Sequence, residues 1–262
     1  MEGSTDSSRS LIVFNIDHEA RKMTTTPQTK EALNLHVYPS HQKKIGKNQV
    51  SLSPSRLIVF PQPGIGGRIK FEWRGYLTNT HYREQIFVKP IDPTANLTSQ
   101  EMSASHITSY KFIKTRFFVL NEKNDEVLYE SKQQHFEVIL AHNSSSFLAG
   151  PIVPDASGST LDPDKGDIRG VRVDVPYKGM TLEDNCLLFA SIYLGENRMD
   201  NFVLGTQADQ DAVDNGGFSF WLDRTRLKKH PDKKLVLEYQ VATATDSKAS
   251  CTSEFKLIVP HS

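Results

Sequence analysis

The sequence predicts an all-β chain of two tandem β-sandwiches preceded by a flexible N-terminal arm. Two observations carry this. A strand–turn–strand cassette occurs twice: Leu57-Ile58-Val59-Phe60 reaches Pro61 and a bend at Gly64, Gly66 and Gly67, after which Ile69, Phe71 and Trp73 alternate with polar neighbours. Val171, Val173 and Val175 likewise alternate with Arg172 and Asp174, reach Pro176, bend at Gly179 and continue into Cys186 to Tyr193. Such alternation puts one set of side chains on a buried sheet face. The ends of the two units also match, His135-Phe136-Glu137-Val138-Ile139-Leu140 being mirrored by Glu254-Phe255-Lys256-Leu257-Ile258-Val259. At roughly 150 residues per domain, 262 residues accommodate two units, each long enough for its own core.

Residues 1–50, rich in Ser, Thr, Lys and Gln, read as the arm, with one strand-like piece at Leu33 to Tyr38 and a candidate internal start at Met23. Leu11-Ile12-Val13-Phe14 repeats Leu57 to Phe60, a match short enough for chance. An arm that adds a strand to a sheet edge on the same or another molecule is the functional alternative, and pairing with another copy would give a homo-oligomer. The first sandwich is expected over 51–142, with strands at Glu84 to Lys89 and His135 to Leu140, an aromatic and β-branched stretch from Ile107 to Asn121, and a turn at Lys123-Asn124-Asp125. Residues 143–167, rich in Ser, Pro, Gly and Asp, are expected to link it to the second sandwich, 168–262. There the strands fall at Val171 to Val175, Cys186 to Tyr193, Phe202 to Thr206, Phe218 to Leu222, Leu235 to Thr243 and Phe255 to Val259, and Asp223 caps a helical turn over Arg224 to Lys229.

The segment from Pro151 through Leu161-Asp162-Pro163 to Val171-Arg172-Val173-Asp174-Val175-Pro176-Tyr177-Lys178-Gly179-Met180 resembles the joint and first strand of bacterial immunoglobulin-like repeats of adhesin-type surface proteins. Tyr239-Gln240-Val241, Ser253 and Phe255 to Val259 are similar to the end of such a repeat. Trp73-Arg74-Gly75 matches that family's Trp-x-Gly strand end, and Tyr193-Leu194-Gly195 carries Tyr for Trp. The resemblance covers the second unit almost completely and the first in its cassette and last strand. It implies two tandem immunoglobulin-like β-sandwiches and a binding or spacer role, without catalytic residues.

The residues themselves call for no cofactor. Lys plus Arg and Asp plus Glu number 31 each, so no net field steers the chain to nucleic acid or an anionic membrane. No apolar run approaches the ~18 residues of a membrane helix, and no signal-peptide core is present, which leaves a cytoplasmic location or non-classical export as the expectation. Cys186 and Cys251 would start strands at opposite ends of a sandwich and are expected to be free. Asp162, Asp164 and Asp167, and Asp209, Asp211 and Asp214, are the candidates for calcium; turn acids are the simpler reading, and no metal ligand is assigned. No Gly-x-Ser-x-Gly elbow or reactive cysteine setting occurs, and the bend glycines precede no helix, so no enzyme is expected. The expected function is non-catalytic binding or adhesion through loop faces, with a protein or glycan ligand. Trp221, Tyr177, Tyr82, Arg224 and Arg226 are the expected contacts: with Phe218 and Phe220 facing in, Trp221 faces out. A structural component assembled through the arm and a carbohydrate-binding protein are the alternatives.

Overall fold

The computed structural model describes residues 33–52, 55–60, 67–243 and 246–258. In chain order the first half forms β1 (Asn34–Tyr38), β2 (Lys44–Gly46), α1 (Lys47–Leu52), β3 (Ser55–Phe60), β4 (Arg68–Tyr76), β5 (Tyr82–Pro90), β6 (Thr98–Met102), α2 (Ser105–Thr108), β7 (Phe112–Leu120), β8 (Val127–Glu130) and β9 (Gln134–Ile139). The second half forms β10 (Thr160–Leu161), β11 (Val171–Pro176), β12 (Asn185–Leu194), β13 (Asn197–Gln207), α3 (Gln210–Asn215), β14 (Gly217–Leu222), α4 (Arg224–Lys228), β15 (Lys234–Ala242), β16 (Ser247–Ala249) and β17 (Ser253–Leu257). No helix among the described residues is long and apolar enough to cross a membrane.

The molecule is mostly β and has two sandwich-like bodies. In the first, sheet β1-β3-β6 faces sheet β2-β9-β7-β4-β5, with β8 paired to β7. Between them lie Leu35, Val37, Leu57, Val59, Phe71, Trp73 and Phe117. In the second, β11-β14 faces β10-β17-β15-β12-β13, with β16 paired to β15. Its core includes Val171, Val173, Val175, Leu188, Phe220 and Tyr239. The larger sheets follow one plan, down to the parallel pairings of β2 with β9 and of β10 with β17.

A repeated hydrogen bond fixes which residues correspond. The Phe117 amide donates to Ser131 Oγ at 2.9 Å, and the Tyr239 amide donates to Ser250 Oγ at 2.8 Å, each serine closing the gap where a short strand leaves its ladder. From these anchors, Ile113 opposite Phe136 corresponds to Leu235 opposite Phe255, as the matching strand ends imply. The Trp-x-Gly comparison is corrected. Trp73 lies opposite Thr115, and the residue in the equivalent place, opposite Leu237, is Ala190 rather than Tyr193. The motif serves the first body alone: the Trp73 indole donates to the His106 carbonyl at 3.1 Å, and a Cβ at Gly75 would come within 2.3 Å of the Tyr110 ring.

Two expected boundaries are also corrected. Residues 33–50 are not arm, because β1 pairs along the whole of β3 and buries Leu35 and Val37 in the first core; residues 1–32, with Met23 and Leu11 to Phe14, lie outside those described. Much of the expected linker 143–167 belongs to the second body. Val153 and Leu161 are in its core, Ile152 pairs with Asp174, and β10 extends the larger sheet. The bends at Gly64 and Gly66 and the end of the last strand at Val259 likewise lie outside the described residues.

The bodies are joined face to face. Sheet β1-β3-β6 turns its second face, through Tyr38, Ile58 and Phe60, onto Leu187 and Phe189 of β12 and Val203 of β13. Tyr38 stacks on Phe189 at 3.6 Å between ring centroids. Gly205 leaves room for Phe60, whose ring a Cβ there would approach to 2.7 Å. Around this apolar centre, Arg198 pairs with Glu101 at 3.0 Å, Arg56 donates to Asn201, and Asn96 Nδ2 donates to the Gly205 carbonyl. The β1–β2 connection is stitched on as well: the Ser40 amide donates to Gln240 Oε1, Gln42 N to the Ser247 carbonyl and Ala249 N to His41 Nδ1. Burial on both faces explains why Leu57 to Phe60 and Cys186 to Ala190 read as unbroken apolar runs. Truncating Phe189 to Ala removes the stacked ring and leaves a void, so urea denaturation should show a loss of about 3–5 kcal/mol. A loss below about 1 kcal/mol would mean the interface does not support the fold.

Candidate functional site

Trp221 stands on the outer face of β14, opposite Arg172 of β11, because Phe218 and Phe220 turn inward. The Arg169 guanidinium lies 3.9 Å from its ring centroid. Arg169 is itself held: Asp167 accepts from its backbone amide, Nε and NH2 at 2.9, 3.1 and 3.0 Å. The hydrogen bonds from Arg169 hold the Asp167 carboxyl down to about 2, so the pair stays ionised at any physiological pH. Beside Arg169, Ile168 is 95% exposed. The loop carrying it is tied at both ends. Arg224 NH2 donates to the Asp167 carbonyl at 2.5 Å, Lys228 pairs with Asp164 at 2.9 Å, and at Gly170, φ 127°, a Cβ would meet the Leu222 carbonyl at 2.3 Å. A cation–aromatic pair beside an exposed aliphatic tip, all on braced backbone, is a surface suited to a macromolecular partner.

The other expected contact residues separate. Arg224 braces the loop. Arg226 forms a two-point pair with Asp200 at 2.7 and 2.5 Å and lies over Phe202, so it fastens α4 to β13. Tyr177 is corrected as a contact: its side chain turns back from the strand end into the second core and is 5% exposed. Tyr82 is 50% exposed at the start of edge strand β5 in the other body, leaning on Tyr76, with no contact to the Trp221 surface. The acidic loops spend their oxygens locally. Asp162 accepts from the Asp164 amide, and Asp209 caps α3 by accepting from Ala212 N. No cluster of metal-ligating side chains occurs among the described residues. Cys186 is buried, which pushes its thiol well up, and Cys251 is exposed; both are free.

A cavity of about 270 Å³ opens where the two bodies meet, lined by Tyr38, Pro39, Gln49, Phe147, Glu238, Ser250, Cys251 and Thr252. Tyr38 donates its hydroxyl to Glu238 Oε1 there, and burial pushes the Glu238 carboxyl up to about 7. A smaller polar cavity of about 50 Å³ adjoins His36, whose ring nitrogens are buried without partners and whose pKa burial lowers to about 4, keeping the ring neutral.

No family model matches the chain, and no curated protein matches it at a significant level. Among solved structures, one described as a Ca2+-stabilized adhesin that helps an Antarctic bacterium reach out and bind ice aligns with a TM-score of 0.27 and 8% identity, over 81% of this chain and 46% of that one. A second, from a 1.5-MDa bacterial ice-binding adhesin, aligns with a TM-score of 0.23 and 10% identity over 88% and 65%. The chain thus spans less than two thirds of either structure. The resemblance to bacterial adhesin domains is weak and distant, and at such scores it carries no argument about this surface.

Sequence reasoning found Trp221 and its orientation but missed Arg169 and Ile168, which sit in a Pro- and Asp-rich stretch with no strand periodicity. Removing Arg169 uncovers the Trp221 ring, and Trp73, at 1% exposure, is the only other tryptophan. Arg169→Ala is therefore expected to shift tryptophan emission to longer wavelength without changing the far-ultraviolet circular dichroism; unchanged emission would show that the stack does not persist in solution.

Proposed function

We propose that the protein is a non-catalytic binding protein of adhesion type, and that the Trp221–Arg169–Ile168 surface is where it meets its ligand. The observation that carries this reading is the braced loop: Asp167 and Arg224 hold Arg169 over Trp221 while Ile168 projects 95% exposed. A preorganised patch of Trp, Arg and an aliphatic tip loses little conformational freedom on binding, which is what makes such residues strong contact points. A protein ligand is favoured over a glycan, because Arg169 already occupies a ring face that a sugar would need for stacking. Assembly through the N-terminal segment is the second reading and concerns residues 1–32, since 33–50 are folded into the first body.

Protein and glycan arrays probed with the full chain supply the test. A genuine ligand should lose roughly tenfold or more in affinity, about 1.4 kcal/mol, with Trp221→Ala. It should be bound normally by Tyr82→Ala. Ligands bound equally by the Trp221 variant would overturn the assignment of this surface.

A further inference from the structure

The duplication extends to the smaller sheets. As β1 pairs with one edge of β3, Ile152 pairs with one edge of β11 through Asp174, its amide donating at 2.8 Å and its carbonyl accepting at 2.7 Å. As β6 pairs with the other edge of β3, β14 pairs with the other edge of β11. Ile152 is therefore the counterpart of β1. Opposite Asp174, it lies with Arg172 and Trp221 on the outer face and is 54% exposed. In the first body the equivalent outer face is the one that docks on β12 and β13.

The larger sheets match in the same way. Lys70 and Glu72 take the places of Leu187 and Phe189, and across from them Val88 and Ile86 of β5 take the places of Gly205 and Val203 of β13. Ile86 and Val88 are 54% and 47% exposed. Within the chain one small-sheet face is joined to one larger-sheet face; the other small-sheet face, on the second body, and the other larger-sheet face, on the first, stay open. We propose that these two open faces join between molecules: the Ile152–Trp221 face of one copy docks on the Ile86–Val88 face of the next, repeating head to tail the contact that joins the two bodies. This rests on the reading of Trp221 as a contact residue and names a second copy of the chain as its partner.

The occupant follows from the fold itself. The step that carries the first body onto the second, taken once more, sets a further body of the same plan against the Ile152–Trp221 face, and a second copy supplies such a body with its own face open. Charge does not oppose the contact. Arg172 pairs with Asp174 at 2.8 Å on one face and Lys70 with Glu72 at 3.1 Å on the other, while the flanking Arg169 and Arg116 are held by Asp167 and Glu130. The faces thus meet without unpaired like charge. Ile152 and Trp221 on one side and Ile86 and Val88 on the other supply the apolar area. Paired ions stand where the internal contact has Ile58, Phe60, Leu187 and Phe189, so the contact between copies is the weaker one and reversible, with a dissociation constant expected between roughly 1 μM and 1 mM. Because the two faces differ, it builds chains or rings of copies rather than closed pairs.

Sedimentation velocity on the full chain, from about 5 μM to about 1 mM, tests this. The average mass is expected to rise with concentration through the dimer and beyond it. Trp221→Glu and Val88→Glu should each leave a monomer, since each loses one of the two faces. An equimolar mixture of the two variants should form heterodimers and nothing larger, because each keeps the face that the other lacks; that result also shows both to be folded. A wild-type chain that stays monomeric at the highest concentration or stops at a dimer, growth that survives either substitution, or a mixture that remains monomeric would each overturn the proposal. Its failure is separable from that of the surface assignment. A monomeric wild type whose array ligand is lost with Trp221→Ala removes the self-docking and keeps the surface, whereas array ligands bound equally by that variant, with no self-association, remove both.

Discussion

The constraint on which the rest of this structure depends is that sheet β1-β3-β6 is apolar on both faces. One face closes the first core through Leu35, Val37, Leu57 and Val59; the other docks the second body through Tyr38, Ile58 and Phe60. A sheet of this kind cannot be left half exposed, because its outer face would be an apolar patch in water. The second body therefore completes the first. Everything else at the junction is secondary: the Arg198–Glu101 pair and the Gln240 and Ser247 hydrogen bonds satisfy polar groups at the margin of an apolar contact and fix its register.

The duplicated plan shows what that contact changed. Because Trp73 and Ala190 correspond, Lys70 and Glu72 on the outer face of the first body occupy the places of Leu187 and Phe189 in the second. Where another sheet covers the face, the residues are Leu and Phe. In the first body the same positions carry charge, with Arg116 pairing to Glu72 at 2.7 Å and Lys70 and Arg116 lying over Phe118. The same contrast holds at the other end, where Arg172, Asp174 and Trp221 line the outer face of β11-β14 in place of the apolar docking residues of β3.

Much of the fold was legible because strands buried on one face alternate: β4, β9, β11 and β14 each announced themselves, and Asp223 marked the start of α4 by accepting from the Thr225 amide. What could not be read depended on distant partners. β1 offers only Leu35 and Val37 around His36, too little to distinguish it from a polar arm until β3 is beside it. Val153 and Leu161 are isolated among polar residues, yet both are core. The duplication itself was visible, but its register was not, because β12 is buried on both faces and its run Cys186 to Ala190 has no alternation to align. At the candidate surface Trp221 followed from strand parity, whereas Tyr177, just past the end of β11, obeys no such rule and turns inward. The cavity gave no local signal at all, being assembled from residues more than 90 positions apart in the chain, Tyr38, Phe147 and Glu238.

The central claim is that the two bodies form one cooperative unit through the shared sheet. Native-state hydrogen exchange tests it most directly, at the two equivalent amides whose partners are the repeated serines: Phe117 on β7 and Tyr239 on β15. If the bodies are a single unit, both amides exchange through the same opening and report the same free energy, with the same dependence on denaturant. If one amide exchanges through a distinct opening of markedly lower free energy while the other stays protected, the bodies are independent domains in contact and the account is wrong.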